Sequence, residues 1–406
     1  MSGPLEGLVV LDLTRYLSGP HCTLLLAGLG AEVIKIDEPV GGDPAALAPP
    51  WSGPSFERAS PADFGLAYLK RARGKQSATL NLKHARGREL FLRLAELADV
   101  VVENFRPGVA ERLGIGYEAL RARNPKLVYC ALSGYGATGP ERNLKSFDLM
   151  AQAEAGLMSI TGAPDGPPMK TGGALADMIA GSYAALGIVA ALKERDRSGL
   201  GQAVDVSMVD CLFSMMMDEP VDSYEKLGLA ARQGNRIMRI SPFNAYRAKD
   251  GWVTLGAATH ADWLALLEVM GRGDLREHPD FSRVEWRVPH NDEVDRVVGE
   301  WTARVTVREA IERLRAADVP CGAVRTAREA IAWEQLKARG MVQALKRPDG
   351  TPAGVAAAGM ALKFSRSTAH HDVPAPVPGG DTADVLQRML GLGADEIARL
   401  KADGIV

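Results

Sequence analysis

Cysteine is scarce in this chain: Cys22, Cys130, Cys211 and Cys321 are scattered singly over 406 residues, a spacing that fits neither a disulfide scaffold nor a zinc site. They read as reduced, buried small hydrophobes. A nucleophilic thiol needs a histidine and an orienting group beside it, and none of the seven histidines is placed by sequence to serve. Blocks of one charge are also missing: Lys and Arg are dispersed and the formal net charge is −2, so the clustered basic footprint of a nucleic-acid partner is absent. The apolar runs are broken by glycine or charge short of the roughly 18 residues of a membrane span, and the start MSGPLEGLVVLDLTRYL has no basic segment ahead of a long apolar one. A cytoplasmic protein with no membrane partner is the expectation. The turn after the first apolar strand, TRYLSGPHC, carries one glycine where a dinucleotide fingerprint needs three, which removes the main support for a dehydrogenase.

An apolar fraction of 46% and a charged fraction of 24% are those of an ordinary globular protein, and 406 residues suit two domains. LVVLDL, CTLLLAGLG and EVIKID read as strand, helix and strand, with Gly28 and Gly30 ending the helix. SATLNL, ARGRELFLRLAEL, DVVVENF and KLVYCALSGYG continue the alternation to about residue 150, which predicts a doubly wound α/β fold. Ligands of such sheets bind beyond the carboxyl ends of the strands, so Thr14–Pro20 becomes a candidate site wall. Residues 40–66, rich in Pro, Gly and Ser, suggest a lid or a partner-contacting loop. A long helix is predicted over 177–195 with Asp177 at its start, followed by a strand and a Met-rich helix read as core filling. SPFNAYRAKDGWVTLGA predicts a hairpin turning at Lys249-Asp250-Gly251, with helices at 261–270, 291–304 and 307–317. The expected division is a large domain from 1–200 plus 335–406, a small domain over 225–330, and linkers at 201–224 and 331–380.

Several segments together resemble the class III coenzyme A transferases, the family of formyl-CoA and carnitine CoA-transferases that also includes α-methylacyl-CoA racemases. The N-terminal run GLVVLDLTRYLSGPHCTLLLAGLGAEVIKID, then DVVVENFRPGVAERLG, LSGYGATGP, GGALAD, ALKERDRSGLGQAVDVSM, FNAYRAKDGWV and VPCGAVRTAREA look like the family's landmarks in the family's order. The resemblance implies a Rossmann-like large domain with a small inserted α+β domain, two chains interlocked as a homodimer, and acyl-CoA and carboxylic acid substrates. A related second subunit is a further partner it allows. It implies no metal and no permanently bound cofactor.

The same resemblance makes Asp177 the nucleophile. A thioester is open to attack by a carboxylate, and covalent catalysis splits CoA exchange into easier acyl transfers. A helix start favours the ionised carboxylate, and Gly172 and Gly173 just upstream suit close backbone approach to a developing oxyanion. Without the family context, an Asp at a helix start is most often a cap. For CoA the resemblance carries over to Leu17 and Ser18, to Leu80, Asn81, Leu82 and Lys83, to Asn104, Phe105 and Arg106, to Arg112, and to Lys145, Ser146, Phe147 and Asp148. Arg106, Arg112 and Lys145 suit phosphate by charge and geometry.

Two departures bear on substrate. The formyl-CoA branch has Gln at the position of Leu17 and a basic residue at that of Glu38, and its glycine-rich flap is not recognisable here. An apolar Leu17 suits a larger or less polar acyl group, such as a dicarboxylic or branched acid. The racemase reading needs a histidine where this chain has Ser146, and a serine hydroxyl does not titrate near neutrality. A non-catalytic CoA-binding subunit is the remaining alternative, and the presence of Asp177 argues against it.

Overall fold

The computed structural model describes residues 2–406. The chain divides into two compact units, one built from residues up to Leu157 with Lys170–Glu219 and Glu334–Val406, the other from Met158–Met169 and Pro220–Trp333.

In the larger unit, β1 (Val9–Asp12), β2 (Glu32–Asp37), β3 (Lys75–Thr79), β4 (Val100–Glu103), β5 (Val128–Ser133) and β6 (Ala203–Ser207) form one parallel sheet in the order β3-β2-β1-β4-β5-β6. The central strands β1, β2, β4 and β5 are short, largely apolar and mostly buried on both faces, as strands covered by helices on each side must be, while β3 (KQSAT) is polar and the edge strand β6 is partly exposed. The period of two sorts their side chains. Val10, Val33, Val100, Val102 and Cys130 enter one core, while Leu11, Ile34, Val101 and Tyr129 enter the other. Helices α1 (Ser18–Gly28), α2 (Leu66–Arg71), α3 (Ala85–Leu97), α4 (Asp148–Glu154), α5 (Leu175–Ser198) and α6 (Met208–Met216) follow in the same unit. The first core takes Cys22 and Leu26 of α1, Ala180, Ala184 and Ile188 of α5, and Leu212 of α6. The second takes Leu90, Phe91 and Leu94 of α3 with Val385, Leu386 and Leu400 from the C-terminal helices. The sheet is built outward in both directions from β1, so the loops after β1 and β4 meet at its switch point, where open α/β sheets bind ligands.

Three expectations change. Residues 201–224 are no linker, because β6 pairs with β5 and α6 is capped by Ser207, whose hydroxyl accepts from Asp210 N–H at 3.1 Å. Within 331–380, Val342–Lys346 and Pro352–Ala358 form an antiparallel pair whose Leu345 and Ala353 pack with Ala46, Leu66 and Leu69, so residues 40–66 are anchored over this pair. Gly53 N–H donates to the Ala353 carbonyl there at 2.9 Å. The third concerns apolar length: α5 holds an 18-residue window of mean hydropathy 1.7, long and apolar enough to cross a membrane by composition alone, because Ala and Gly rather than charge interrupt its larger residues. In this protein 44% of that window is buried, at the α1 side and the sheet.

The smaller unit contains the predicted hairpin, Phe243–Arg247 paired with Trp252–Gly256, extended by Cys321–Ala323. Helices His260–Met270, Asn291–Thr302 and Val307–Ala316 close over Trp263, Val294, Val298 and Leu314. Capping boxes at Thr259/Asp262 and Thr306/Glu309 start the first and third, each visible in sequence as a Thr three residues before an acid.

Candidate active site

The site begins with a buried charge cluster beneath the β1–α1 loop. Asp12, at the end of β1, accepts from Lys75 Nζ at 2.9 Å, from Thr23 Oγ1 at 2.7 Å and from Thr14 N–H at 2.9 Å. Lys75 Nζ also donates to Thr23 Oγ1 at 2.7 Å, which ties α1 to the sheet. Next to it Lys35 Nζ donates to the Thr14 carbonyl at 2.6 Å and lies 3.2 Å from both Asp37 and Asp43. Asp12 is held ionised: burial opposes it, and the two lysines and two threonines outweigh burial. Asp37 goes the other way, pushed up by burial and by Asp43 against the pull of Lys35.

From the β4 side, Asn104 reaches across the switch point. Its Oδ1 accepts Arg15 N–H at 2.9 Å and its Nδ2 donates to the Arg15 carbonyl at 2.8 Å, so the amide acts as a two-point clamp on the loop. Tyr16 follows with φ 67°, an unusual backbone setting for a non-glycine residue, and Arg71 Nη1 donates to its carbonyl at 2.6 Å. Two residues on, Ser18 is buried at the first position of α1, where its hydroxyl and backbone N–H favour the ionised Asp177 carboxylate. Gly181 makes this possible: a Cβ there would lie 2.5 Å from the Ser18 carbonyl and 3.0 Å from the His21 ring.

Asp177 stands in the first turn of α5, but the cap of that helix is Asp148. Its Oδ1 accepts Ala176 N–H at 2.8 Å and its Oδ2 accepts from Gln152 Nε2 at 2.7 Å. Gln152, fully buried, accepts Thr171 N–H at 3.0 Å through its Oε1 and so holds the strand of chain entering α5. With capping assigned elsewhere, the Asp177 carboxylate is left for other use. Burial and the neighbouring Asp148 push its pKa up to about 6, against the opposing pull of Ser18 and of the Arg71 charge. His21, facing Ser182 Oγ at 3.4 Å, is held down at about 4 by burial and by Arg71 and Lys75, so it is a neutral, weakly basic imidazole.

The residues expected from sequence divide into groups. Leu17, Ser18, Asp148 and Asp177 come together; Phe147 is exposed and packs edge-on against the Tyr16 ring at 6.1 Å. Lys145 is exposed and Ser146 half-buried on the same approach. Leu80 and Leu82 are core residues beneath α3, and Asn81 is tied to the C-terminus, its N–H donating to the Ile405 carbonyl at 2.8 Å. From that group only the Lys83 side chain reaches solvent freely, and it pairs with Glu38 at 2.9 Å, with Arg15 3.8 Å from the same carboxylate. Phe105 and Arg112 line a cavity of about 450 Å³ beyond β4–β6, with Arg142, Tyr117 and Asp205, while Arg106 is exposed beside it. Glu103 lies at its base. Burial pushes Glu103 up to about 7 despite hydrogen bonds from Phe105 N–H at 2.6 Å and Tyr129 OH at 3.1 Å. Gly172 and Gly173 are exposed, with nothing within 4 Å of a Cβ, so no steric requirement for glycine acts within this chain. The cysteines are poor nucleophiles: burial raises the thiol pKa of all four, Cys211 to about 11.

Arg71, Gln152 and the two lysines Lys35 and Lys75 carry this geometry and were not selected from sequence, whereas Tyr16 lies in the Thr14–Pro20 wall that was. A lysine amid the apolar run EVIKID was the available signal for the buried cluster, since an unpaired lysine there would be prohibitively costly. Arg71 had none.

A parallel α/β sheet with a carboxylate presented at a helix start over its switch point defines a group-transfer or ligand-binding protein of the doubly wound class. The model of CoA-transferase family III matches residues 5–382, so the chain belongs to that family. It is similar to the succinyl-CoA–D-citramalate CoA-transferase of Chloroflexus aurantiacus, 33% identical over 99% of this chain and 98% of that protein. The succinyl-CoA:mesaconate CoA-transferase of Haloarcula marismortui is 37% identical over 93% of this chain and 92% of its own. Among solved structures, a CAIB/BAIF family protein from Brucella suis superimposes with a TM-score of 0.82 at 31% identity, covering 96% of this chain and all of that one. The protein is an acyl-CoA:carboxylate CoA-transferase, with CoA thioesters as substrates.

Proposed function

We propose that Asp177 carries CoA between two carboxylic acids, one of them succinate or a related dicarboxylic acid. The observation that supports this most is a carboxylate in the first turn of α5 that is relieved of capping by Asp148 and faces Ser18 and the Arg71 charge. Asp177 attacks the thioester carbonyl of the donor acyl-CoA; the C–S bond breaks, giving an acyl-aspartyl anhydride and CoA thiolate. The thiolate attacks the aspartyl carbonyl, the donor acid leaves as its carboxylate, and an aspartyl-CoA thioester remains. The acceptor carboxylate attacks that thioester and expels CoA thiolate. Attack of the thiolate on the acceptor's carbonyl then yields the new acyl-CoA and restores the Asp177 carboxylate. One thioester is exchanged for another, with no net proton or water.

CoA would approach over Phe147, Lys145 and Lys83, with Arg106 and Arg112 as the phosphate-directed cations. The ion pair of Lys83 with Glu38 must open or shift for Lys83 to serve. The racemase alternative gains nothing here: Ser146 cannot take a proton near neutrality, and His21 is too weak a base. An interlocked homodimer fits the outer face of α5, where Met178, Tyr183, Leu186 and Val189 form an exposed apolar stripe, Leu186 being 66% exposed. The test of the reaction is to supply succinyl-CoA with a panel of carboxylic acids and follow new acyl-CoA species by mass spectrometry beside Asp177→Ala. Transfer that persists in that variant would refute the assignment of Asp177.

A further inference from the structure

Arg71 ends α2 with a half-buried side chain and one hydrogen bond, Nη1 to the Tyr16 carbonyl at 2.6 Å. Among the described residues it forms no ion pair and no second hydrogen bond, which leaves the Nη2 and Nε edge of the guanidinium without a protein acceptor. The carbonyl it holds belongs to the positive-φ residue Tyr16, whose ring stands against Phe147 at 6.1 Å. Ser18, two residues along, favours the charged form of Asp177. One short loop therefore leads from the cation to the nucleophile's neighbour Ser18, and half-buried Leu17 lies in that loop between Tyr16 and Ser18. Two carboxylates act on the Arg71 charge, Asp177 first and Asp43 second; Asp43 is already engaged by Lys35 at 3.2 Å and by Ala45 N–H at 3.0 Å.

We propose that Arg71 is a specificity-determining residue that binds the distal carboxylate of a dicarboxylic acid while its other carboxyl carbon reacts at Asp177. The methylene spacer lies against Leu17. An arginine fork with a free edge suits a planar carboxylate, and a site built to pair a charge rejects the analogue that lacks it. This deepens the transferase reading and rests on it.

The test is isotope exchange of a labelled acid into its own CoA thioester, comparing succinate with butyrate and glutarate with pentanoate, in wild type, Arg71→Gln and Arg71→Lys. The dicarboxylate-to-monocarboxylate ratio of kcat/KM is expected to fall by about tenfold to a hundredfold in Arg71→Gln, and by less in Arg71→Lys, which keeps the charge and loses the fork. A purely structural role would lower both acids together and leave the ratio alone. An unchanged ratio in the variants, or a wild type that exchanges monocarboxylates as well as dicarboxylates, overturns the proposal while the transferase reading stands. If Arg71→Gln fails to fold, Arg71→Lys alone decides by the same ratio. Absence of exchange with every acid in wild type removes the transferase reading itself.

Discussion

A carboxylate that must be ionised to attack has been placed where ionisation is disfavoured. Asp177 sits at about 6 against an ordinary 3.8, burial being the main cause and Asp148 the second. Two outcomes follow. The rate should rise with pH through about 6 and level off above it, and a pH profile of kcat/KM for the donor acyl-CoA, which reports the free enzyme, checks this. Stability runs the opposite way. A folded-state pKa above the unfolded value means the native state binds the proton more tightly, so stability falls as pH rises from about 4 to about 6. Asp177→Asn removes that penalty. It should melt at a higher temperature than wild type at pH 8, with the gain vanishing toward pH 4, and should lose transfer by about 10³-fold or more. Calorimetry across that range and initial rates test both. The nucleophile was legible only through the motif GGALAD and its neighbours; taken alone, an acid in the first turn of a helix reads as a cap. The structure gives that work to Asp148, 29 residues earlier, and such an exchange of roles across the fold leaves no trace in local pattern.

At the scale of elements, the site is a loop held from below and from both sides. Lys75 and Lys35 anchor it through Asp12 and the Thr14 carbonyl, Asn104 clamps Arg15, and Arg71 holds Tyr16. Removing one partner of a buried pair costs more than the pair contributes, because the other charge stays behind uncompensated. Lys75→Met should therefore destabilise the larger unit by about 3–5 kcal/mol, read as a lower urea midpoint at unchanged slope. The central strands were readable as short apolar runs bounded by charge and glycine, and α3 was readable over its full 85–97 span from its amphipathic period. In 201–224 the strand and the Met-rich helix were both readable, but the segment was assigned to a linker because nothing local shows that this five-residue edge strand pairs with β5. The loop network was illegible for a different reason: its members come from β1, β2, β3 and β4, and only the parallel register brings them together.

For the whole molecule, the apolar stripe on α5 is the feature that one chain leaves unpaired. A substitution on its outer side, Leu186→Glu, should shift the protein from dimer to monomer in sedimentation velocity at micromolar concentration. A wild type that sediments as a monomer would remove the dimer from the account. Dispersed charge argued against a nucleic-acid partner and the single glycine of TRYLSGPHC against a dinucleotide fingerprint, and the family landmarks supplied the reaction class. Neither could name an acid, because that choice falls to side chains such as Leu17 and Arg71 whose juxtaposition depends on the fold. The account turns on a covalent bond between CoA and Asp177. The direct measurement is to incubate the protein with succinyl-CoA, treat it with hydroxylamine or borohydride, and map the modified residue by peptide mass spectrometry. The account predicts an aspartyl hydroxamate or reduced aspartyl residue at Asp177 that requires succinyl-CoA. An unmodified Asp177 in a protein that still exchanges succinate into succinyl-CoA would contradict it.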